Sequence, residues 1–586
     1  MAGNTEPSYE DALKFSSQLL PKPQETKHLR DSLRANCLFR ETTRLRAIVA
    51  SAPAQLALYR KHIDVLASVD SKRPPDTIPP PPDSSARPGT ELAIDKALAR
   101  LRAEYIMLSE YSAICSSSMA PVRRLPPEIL IQVFLPFTPM TREINSKDYR
   151  GEIHRLIHHD LLQLAQVCAY WRALAFGTPT FWRSLDLDMM FWSHKMLPLT
   201  EAVLERSANS AIQVRIGVPD EVEPDRTLLE LIARHSVHWQ GALFSMDFKH
   251  FTSLAPIRGN LPLLECAHIA GNFDPDSPDL IGLAAAAVKL FSDAPRLTDV
   301  TYSGPAKGLE HLPWKQLKRF EYLDLCRFDL SDALSALHYF PPGMQFELRR
   351  FWFPAWDAAQ ALLPPPIESD LTDLTIEFGL HSPGGMREIL ERLTLRCLSF
   401  LELALLNHEH PPIAWDHTIF LRFCARSECG KTLTTLYLMH VAITTDELLE
   451  SLAELKVLAA LVVADHRPSR TRSDPVWLVK DTLFRRLTER AENTQRHLLV
   501  PKLAIFGCLS DLRFDEALYL DFVRSRVEVC QSPAQTHFES HVRWYAESAR
   551  ELKPAVLGEL QGLSKTKGFV GSIEAANEEE MKTFFY

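Results

Sequence analysis

The first part of the chain carries apolar residues at alternating spacings of three and four, the pattern of helices that pack side by side. One run extends from Leu45 to Leu66 and a second from Ile94 to Cys115. The segment between them is rich in proline, which excludes a helix and favours extended backbone. Residues 29–118 are therefore predicted to form an antiparallel, coiled-coil-like helical hairpin with a proline-rich linker at residues 73–89.

Two further expectations concern this region. Pro53 lies inside the first apolar run and is predicted to kink or divide that helix, because proline removes a backbone hydrogen bond. A coiled coil between two copies of the chain would produce the same spacing and stays open as an alternative. Residues 1–28 contain prolines and little periodicity, so they are predicted to be a disordered tail.

Beyond residue 185 the pattern changes to an apolar residue, two variable residues, an apolar residue, one variable residue and a further apolar residue. The matches are Leu264/Ala267/Ile269, Leu297/Val300/Tyr302, Leu317/Phe320/Tyr322, Leu348/Phe351/Phe353, Leu371/Leu374/Ile376, Leu398/Leu401/Leu403, Leu433/Leu436/Leu438, Leu458/Leu461/Val463 and Val500/Leu503/Ile505. Earlier candidates are Leu185/Leu187, Val214/Ile216 and Leu243/Met246/Phe248. Each match predicts one short strand.

These strands recur at intervals of 20 to 42 residues, scattered about the period that is typical of leucine-rich repeats. A strand with its return helix cannot bury its own apolar face, whereas stacked neighbours share one core. The predicted fold class is an α/β repeat: an irregular leucine-rich-repeat solenoid over residues 187–540, with one continuous, approximately parallel sheet. Residues 541–586 are predicted to be a C-terminal cap and an acidic tail.

Return helices are predicted at residues 280–291, 331–338, 386–393, 419–429 and 445–455. Thr445, which precedes two acidic residues, is the expected N-cap of the last of them.

A short helical pattern lies between the hairpin and the repeats, at residues 119–186. It opens with Leu125-Pro126-Pro127-Glu128-Ile129-Leu130, where the prolines suit a first helical turn, and continues through Ile131, Val133 and Phe134. After a spacer at residues 137–160 come Leu164, Gln166-Val167-Cys168, Trp171-Arg172, Thr178-Pro179 and Phe181-Trp182. This pattern resembles an F-box. With a helical hairpin before it and repeats after it, the chain is similar to the divergent F-box-like proteins abundant in mushroom-forming fungi.

The resemblance implies a function, because F-boxes dock a Skp-type adaptor and through it a cullin ubiquitin ligase. The implied adaptor-binding residues are Leu125, Pro126, Ile129, Leu130, Val133, Leu164, Val167 and Trp171. The expected role is that of a non-catalytic substrate receptor whose repeats bind a protein substrate. The alternative is a scaffold for protein interactions that no longer binds the adaptor.

Composition bears mainly on the function classes that can be set aside. A net charge of −9 disfavours nucleic acid as a partner, and the absence of a long apolar stretch disfavours a membrane. The ten cysteines include no C-x-x-C pair, which argues against a zinc module. No secretory signal is recognisable, so a cytoplasmic or nuclear location is expected.

Two motifs have chemical interpretations that the sequence disfavours. Residues 425–432 satisfy a relaxed phosphate-loop pattern, but a strand pattern follows where nucleotide binding requires a helix, so Gly430 is expected to end a helix in the left-handed conformation. Among His154, His158 and His159, two histidines lie four residues apart on a predicted helix, but no third zinc ligand follows at a convincing spacing. Neither an enzyme activity nor a cofactor is therefore predicted.

Overall fold

The computed structural model describes residues 8–34, 42–71, 88–138, 159–219, 222–271, 279–323, 330–351, 366–379, 385–405, 411–466, 476–491, 496–529, 537–545, 552–564 and 569–576. Two compact units are present: a helical unit that runs to Ser184 and also includes Glu205–Ala208, and a strand-rich unit that begins at Leu185. The predictions for the linker at 73–87, for most of the spacer, at 139–158, and for the last ten residues lie outside the described residues.

Four helices open the helical unit: α1 (Tyr9–Lys14), α2 (Pro23–Arg34), α3 (Thr42–Ser71) and α4 (Pro88–Ser118). Helices α3 and α4 pack antiparallel, since Leu45 shares a buried cluster with Cys115 while Leu66 shares another with Ala97. The predicted antiparallel pair is therefore present. Helix α3 continues through Pro53, so the expected division of this helix is wrong. A proline removes only one hydrogen bond, and the buried residues on both sides of it hold the helix together.

The prediction of a disordered tail is wrong for residues 8–28. Ala12 of α1 is fully buried in the same cluster as Tyr59 of α3. The Tyr59 hydroxyl accepts a hydrogen bond from the Ser17 backbone N–H at 2.9 Å and donates one to the Glu104 carboxylate at 2.9 Å. Because these contacts are made with residues distant in the chain, the weak local pattern did not predict them.

Later in this unit the described residues form α5 (Pro127–Phe134), α6 (His159–Val167) and α7 (Ala169–Gly177). Short 3-10 turns precede and follow them at Pro121–Arg124, Leu135–Phe137 and Pro179–Trp182. Arg123 ties the first turn to the hairpin, since its guanidinium donates to the carbonyl of Ser117 at 2.8 Å and to that of Leu33 at 2.9 Å.

Within the described ranges, the strand-rich unit, called the array below, contains one sheet of fourteen strands that follow one another in chain order. They are β1 (Ser184–Asp188), β2 (Ile212–Gly217), β3 (Trp239–Ser245), β4 (Cys266–Ala270), β5 (Asp299–Ser303), β6 (Arg319–Leu323), β7 (Gln345–Phe351), β9 (Asp373–Phe378), β11 (Phe400–Leu405), β12 (Thr435–Met439), β13 (Ala460–Ala464), β14 (Ile505–Ser510), β15 (Phe538–Tyr545) and β16 (Phe569–Ala576). The pairings from β2 to β16 are parallel. The predicted continuous parallel sheet is therefore confirmed, and the architecture fits an α/β repeat. Two short strands, β8 (Ile367–Glu368) and β10 (Leu393–Thr394), pair with each other separately.

Helices return between the strands. They are α8 (Leu197–Ser207), α9 (Arg226–Arg234), α10 (Leu280–Lys289), α11 (Leu330–Ser335), α12 (Gly385–Arg392), α13 (His417–Arg426), α14 (Cys429–Thr432), α15 (Thr445–Glu454), α16 (Asp481–Thr488), α17 (Glu516–Val529) and α18 (Pro554–Ser564). The five predicted return helices correspond to α10, α11, α12, α13 and α15. The N-cap of α15 is Thr444, whose hydroxyl accepts from the Glu447 N–H, while Thr445 donates to the Leu478 carbonyl at 3.1 Å. The predicted N-cap, Thr445, is therefore wrong by one residue.

The core of the array is a ladder of aligned apolar side chains. Leu401 of β11 pairs with Leu374 of β9 on one side and with Leu436 of β12 on the other, and all three are fully buried. Side chains alternate along a strand, so the two later members of each apolar triplet point into this core. Seven of the nine predicted triplets have the register that the structure shows, in β4, β5, β6, β9, β11, β12 and β13.

Three strand registers were predicted wrongly. In β7 the core residues are Phe346 and Leu348, so Leu348 is the last member of the true triplet and not the first member, as predicted. The first position of the true triplet is Gly343, which is not a large apolar residue, so the pattern did not identify this register. The β14 core residues are Phe506 and Cys508, although the preceding triplet also fits the pattern. In β3, Ala242 and Phe244 occupy the core positions predicted for Met246 and Phe248. A strand read in the wrong register exchanges its two faces.

The array also extends beyond its predicted limits. Strand β1 starts at Ser184, whereas the array was expected to start at residue 187. Strands β15 and β16 carry the sheet to Ala576, past the expected end at residue 540 and into the segment predicted to be a cap and tail. The position aligned with the core residue Phe506 of β14 is Ser540 in β15 and Gly571 in β16, so the triplet pattern did not mark these strands.

Two arginines connect successive repeats. Arg426 of α13 donates to the carbonyls of Leu390 at 2.6 Å and Leu393 at 2.7 Å, at the carboxyl end of α12. Arg526 of α17, which is fully buried, donates to the Leu487 carbonyl at 2.8 Å near the end of α16. The last carbonyls of a helix have no partner within it, so each arginine satisfies groups that burial would otherwise leave unpaired.

Candidate functional site

Helix α5 forms because its first residues suit a helix start. Pro127 stands at the first helical position, where its missing N–H costs nothing, and the Glu128 carboxylate lies at the positive end of the helix dipole. Leu130 and Phe134, four residues apart, are fully buried on one face. Ile129, with 48% of its surface exposed, and Val133 lie about 100° round the helix from these buried residues and face solvent. The helix therefore has one core face and one exposed apolar face.

Aromatic side chains hold α5 against the following helices. The Phe134 ring packs edge-on against Trp171 of α7, with centroids 4.8 Å apart, and contacts Phe181 at 6.2 Å. The Trp182 indole N–H donates to the Ala175 carbonyl at 3.0 Å, which ties the final turn to α7. These contacts form a small core that holds α5 in place with its other apolar face exposed.

The junction between α6 and α7 is fixed by side chains. The Cys168 sulfur accepts the Trp171 backbone N–H at 3.4 Å and so occupies the N-cap position of α7. The Arg172 side chain reaches back to the Ala165 carbonyl at 3.0 Å. Val167, at the end of α6, is left exposed next to this junction.

The predicted adaptor-binding residues fall into three groups. Pro126, Ile129, Val133 and Val167 are exposed, and Leu125, Leu164 and Trp171 are half-buried. Leu130 is fully buried, so its assignment to an exposed ridge is wrong. Spacing alone could not separate it from its neighbour Ile129, because both lie in the same apolar run.

One exposed apolar residue in this region was not among the predicted adaptor-binding residues. Phe137 lies in the 3-10 turn after α5 and is exposed. It follows Val133 by four residues, as Val133 follows Ile129, and this spacing is the signal that could have identified it. We call Ile129, Val133 and Phe137, together with Pro126 and Val167, the exposed apolar set of this domain.

Comparison with known families bears on the same segment. Residues 122–188 match the F-box-like family. The chain therefore carries an F-box-like domain. Its limits agree closely with the predicted segment 119–186, and the exposed apolar set lies within it. No curated protein matches the chain significantly.

A second polar feature lies on the sheet of the array. Thr301, Glu321, Glu347, Thr375 and Glu402 occupy equivalent positions in the consecutive strands β5, β6, β7, β9 and β11. Such a row lies on one face of the sheet, opposite the leucine ladder. The Thr301 hydroxyl donates to the Glu321 carboxylate at 3.0 Å.

Two arginines bind the carboxylates of this row. The Arg349 guanidinium lies 3.2 Å from Glu321, 2.7 Å from Glu347 and 3.0 Å from Glu377. Arg319 contacts Glu347 at 2.5 Å. Burial acts to raise the pKa of Glu347, but the hydrogen bond from Arg319 and the charge of Arg349 hold that pKa below its ordinary value. The cluster is therefore an ion-paired network that fixes neighbouring strands.

The remaining chemical motifs have structural explanations. The left-handed residue after α13 is Glu428, with φ of 55°, and the prediction that Gly430 takes this conformation is wrong. Gly430 lies in α14, where a Cβ atom would come 2.6 Å from the Glu454 carbonyl oxygen, so close packing explains the glycine. Strand β12 follows this segment, whereas phosphate binding requires a helix there. His154 and His158 lie outside the described residues.

Neither a membrane-spanning helix nor a metal site is found within the described ranges. None of the helices there combines the length and apolarity needed to cross a membrane. The histidine, cysteine, aspartate and glutamate side chains of those ranges include no group of three that could hold a metal ion.

Proposed function

We propose that this protein is a substrate-recognition subunit of a Skp-cullin-F-box type ubiquitin ligase. In this proposal the F-box-like domain binds a Skp-type adaptor, and the array, acting as an irregular leucine-rich-repeat solenoid, binds a protein substrate. The chain itself carries out no covalent chemistry. The receptor would accelerate ubiquitin transfer by raising the effective concentration of a substrate lysine near the charged carrier enzyme.

The observation that carries the proposal is an F-box-like domain that exposes a set of apolar side chains. Ile129, Val133 and Phe137 recur at intervals of four and are all exposed, although Leu130 and Phe134 in the same stretch are fully buried. Exposed apolar groups clustered on a small domain are typical of a partner site. Because the domain is F-box-like, we propose that the partner is a protein adaptor. The proposed location of the protein is the cytoplasm or the nucleus.

Binding to a purified Skp-type adaptor tests the proposal. The double variant Leu125→Ala with Pro126→Ala should weaken adaptor binding by about 2 to 4 kcal/mol, or about 30- to 900-fold in Kd, because interface energy is concentrated in a few anchors. A matched control is Ile106→Ala with Met107→Ala, which truncates two exposed apolar residues of α4 outside the domain. The control should bind the adaptor like the wild type.

Melting curves of both variants separate loss of binding from loss of folding. If the wild type forms no complex at about micromolar concentration, the receptor function is rejected and the protein is better described as a scaffold of helical hairpin and repeats. If the control loses as much affinity as the double variant, the adaptor does not bind where we propose.

A further inference from the structure

Strand β16 ends the sheet, and within the described ranges no strand pairs with its outer edge. On its inner side all eight residues pair with β15 in a continuous parallel register. Backbone N–H and C=O groups along an open edge are strong hydrogen-bonding groups that can pair with another chain.

The edge strands at the two ends of the sheet differ in the features that discourage pairing with another chain. Strand β16 contains neither proline nor lysine and has one charged residue, Glu574, while Val570 has 52% of its surface exposed. Strand β1, at the opposite end, has five residues, of which Asp186 and Asp188 are charged. Short strands and charges are common devices that discourage pairing at an edge. They are present in β1 and largely missing from β16.

Helix α18, which packs on β16, carries little charge. Its exposed residues are Pro554, Ala555, Gly558, Glu559, Gln561, Gly562 and Ser564. The single charged residue of this helix, Glu559, is paired with Arg524 of α17. The terminal repeat of a stacked array normally has a polar outer face that keeps it soluble. The end formed by β16 and α18 carries only two charged residues in these two elements, Glu559 and Glu574, although Gln561 and Ser564 are polar and exposed.

We propose that this end of the array is an interface between two copies of the chain, with the two β16 strands paired antiparallel about a two-fold axis. Such a contact uses the same patch on both copies and closes at a dimer. A head-to-tail contact between β16 and β1 would instead continue into a filament and would require the charged β1 edge. The proposal is independent of adaptor binding.

The size of this end agrees with a reversible dimer. Eight residues of strand extend about 26 Å, and a strand layer with its helix layer is about 20 Å thick, which gives about 500 Å² per copy. The total of about 1,000 Å² lies at the lower limit for specific interfaces. Interfaces at this lower limit are typically weak or transient, so we expect reversible association.

Analytical ultracentrifugation of the full chain up to about 100 μM tests this interface. The wild type should pass from monomer to dimer as concentration rises. Val570→Asp places a carboxylate on the edge that also carries Glu574, and it should raise the dissociation constant at least about tenfold. Ile281→Asp, at a position on α10 that is exposed to a similar extent at 46%, is the matched control and should dimerise like the wild type.

Hydrogen exchange of the wild type provides a second measurement that needs no variant. Amides in residues 569–576 should become more protected as the concentration rises, because dimer formation gives the edge amides hydrogen-bond partners. A monomeric wild type throughout this range overturns the proposal. So does a Val570→Asp variant that dimerises with unchanged affinity, or a dimer without added protection in β16. If Val570→Asp lowers the melting temperature, the wild-type exchange measurement alone decides.

Discussion

Replacing Leu130 by alanine should destabilise the F-box-like domain, whereas replacing its neighbour Ile129 should not. Leu130 is fully buried on the same helix face as Phe134, so truncation loses the transfer free energy of the removed carbons and leaves a cavity. Leucine-to-alanine changes at such sites cost about 3 kcal/mol. Ile129 is already 48% exposed, and truncating it should cost less than about 1 kcal/mol.

Local hydrogen exchange measures this difference without depending on unfolding of the array, which is a separate compact unit. A loss of about 3 kcal/mol should accelerate exchange in α5 and α7 by about 150-fold in Leu130→Ala, because exchange of these amides follows local opening. Ile129→Ala should stay within about fivefold of the wild type. Amides of β11 to β13 act as an internal control and should be unaffected in both variants.

Adaptor binding provides the complementary measurement. Ile129→Ala should weaken the complex while the domain stays folded, since its side chain belongs to the exposed apolar set. Equal exchange rates in Leu130→Ala and the wild type would refute the assignment of Leu130 to the core. Leu130 would then be assigned to the adaptor-binding surface, as the sequence pattern predicts.

Further predictions concern the rest of the fold. Leu436→Asp places an unpaired charge in the buried leucine ladder and should destabilise the array by several kcal/mol, about 4 or more, in denaturant titrations; wild-type melting would mean that the strand register is wrong. Burial, with the charges of Arg215 and Arg350, lowers the pKa of His268 to about 3, so below pH about 6.5 the unfolded chain binds a proton that the folded chain does not. The free energy of unfolding should consequently fall by about 1.4 kcal/mol per pH unit for this group as the pH drops towards 4, and His268→Gln should remove that part of the slope. Tyr59→Phe deletes a hydroxyl that joins Ser17 to Glu104, and should cost about 1 to 3 kcal/mol and speed proteolysis of residues 8–28; unchanged cleavage would show that the hydroxyl does not anchor this segment.

Local sequence signals were sufficient for much of the architecture. The alternating spacing of three and four predicted the antiparallel pair α3 and α4, because that period places one stripe of apolar residues on each helix. The triplet around Leu401 and Leu403 predicted a core strand for a similar reason, since alternation assigns one face to the interior. The proline-initiated helix at Pro127 carried its own start signal.

The buried face of a helix and the register of a strand were harder to predict from the sequence, because neighbouring residues fit the same apolar pattern. In α5, Ile129 and Leu130 are both apolar, and only the packing of α5 against α7 decides which of them is buried. In β14, two overlapping triplets fit the same pattern. Nothing in the local sequence distinguishes such alternatives, since they differ in contacts and not in periodicity.

The amino-acid sequence by itself thus determined the two hairpin helices, most of the core strands with their order, and the position of the F-box-like domain, because these depend on local periodicity and on residues that begin helices. Tertiary structure alone decided that residues 8–28 pack on the hairpin through Tyr59, that the sheet continues to Ala576, and that Leu130 lies in the core. Each of these outcomes depends on groups far apart in the chain. Burial and hydrogen bonding between such groups become available only when the chain is folded.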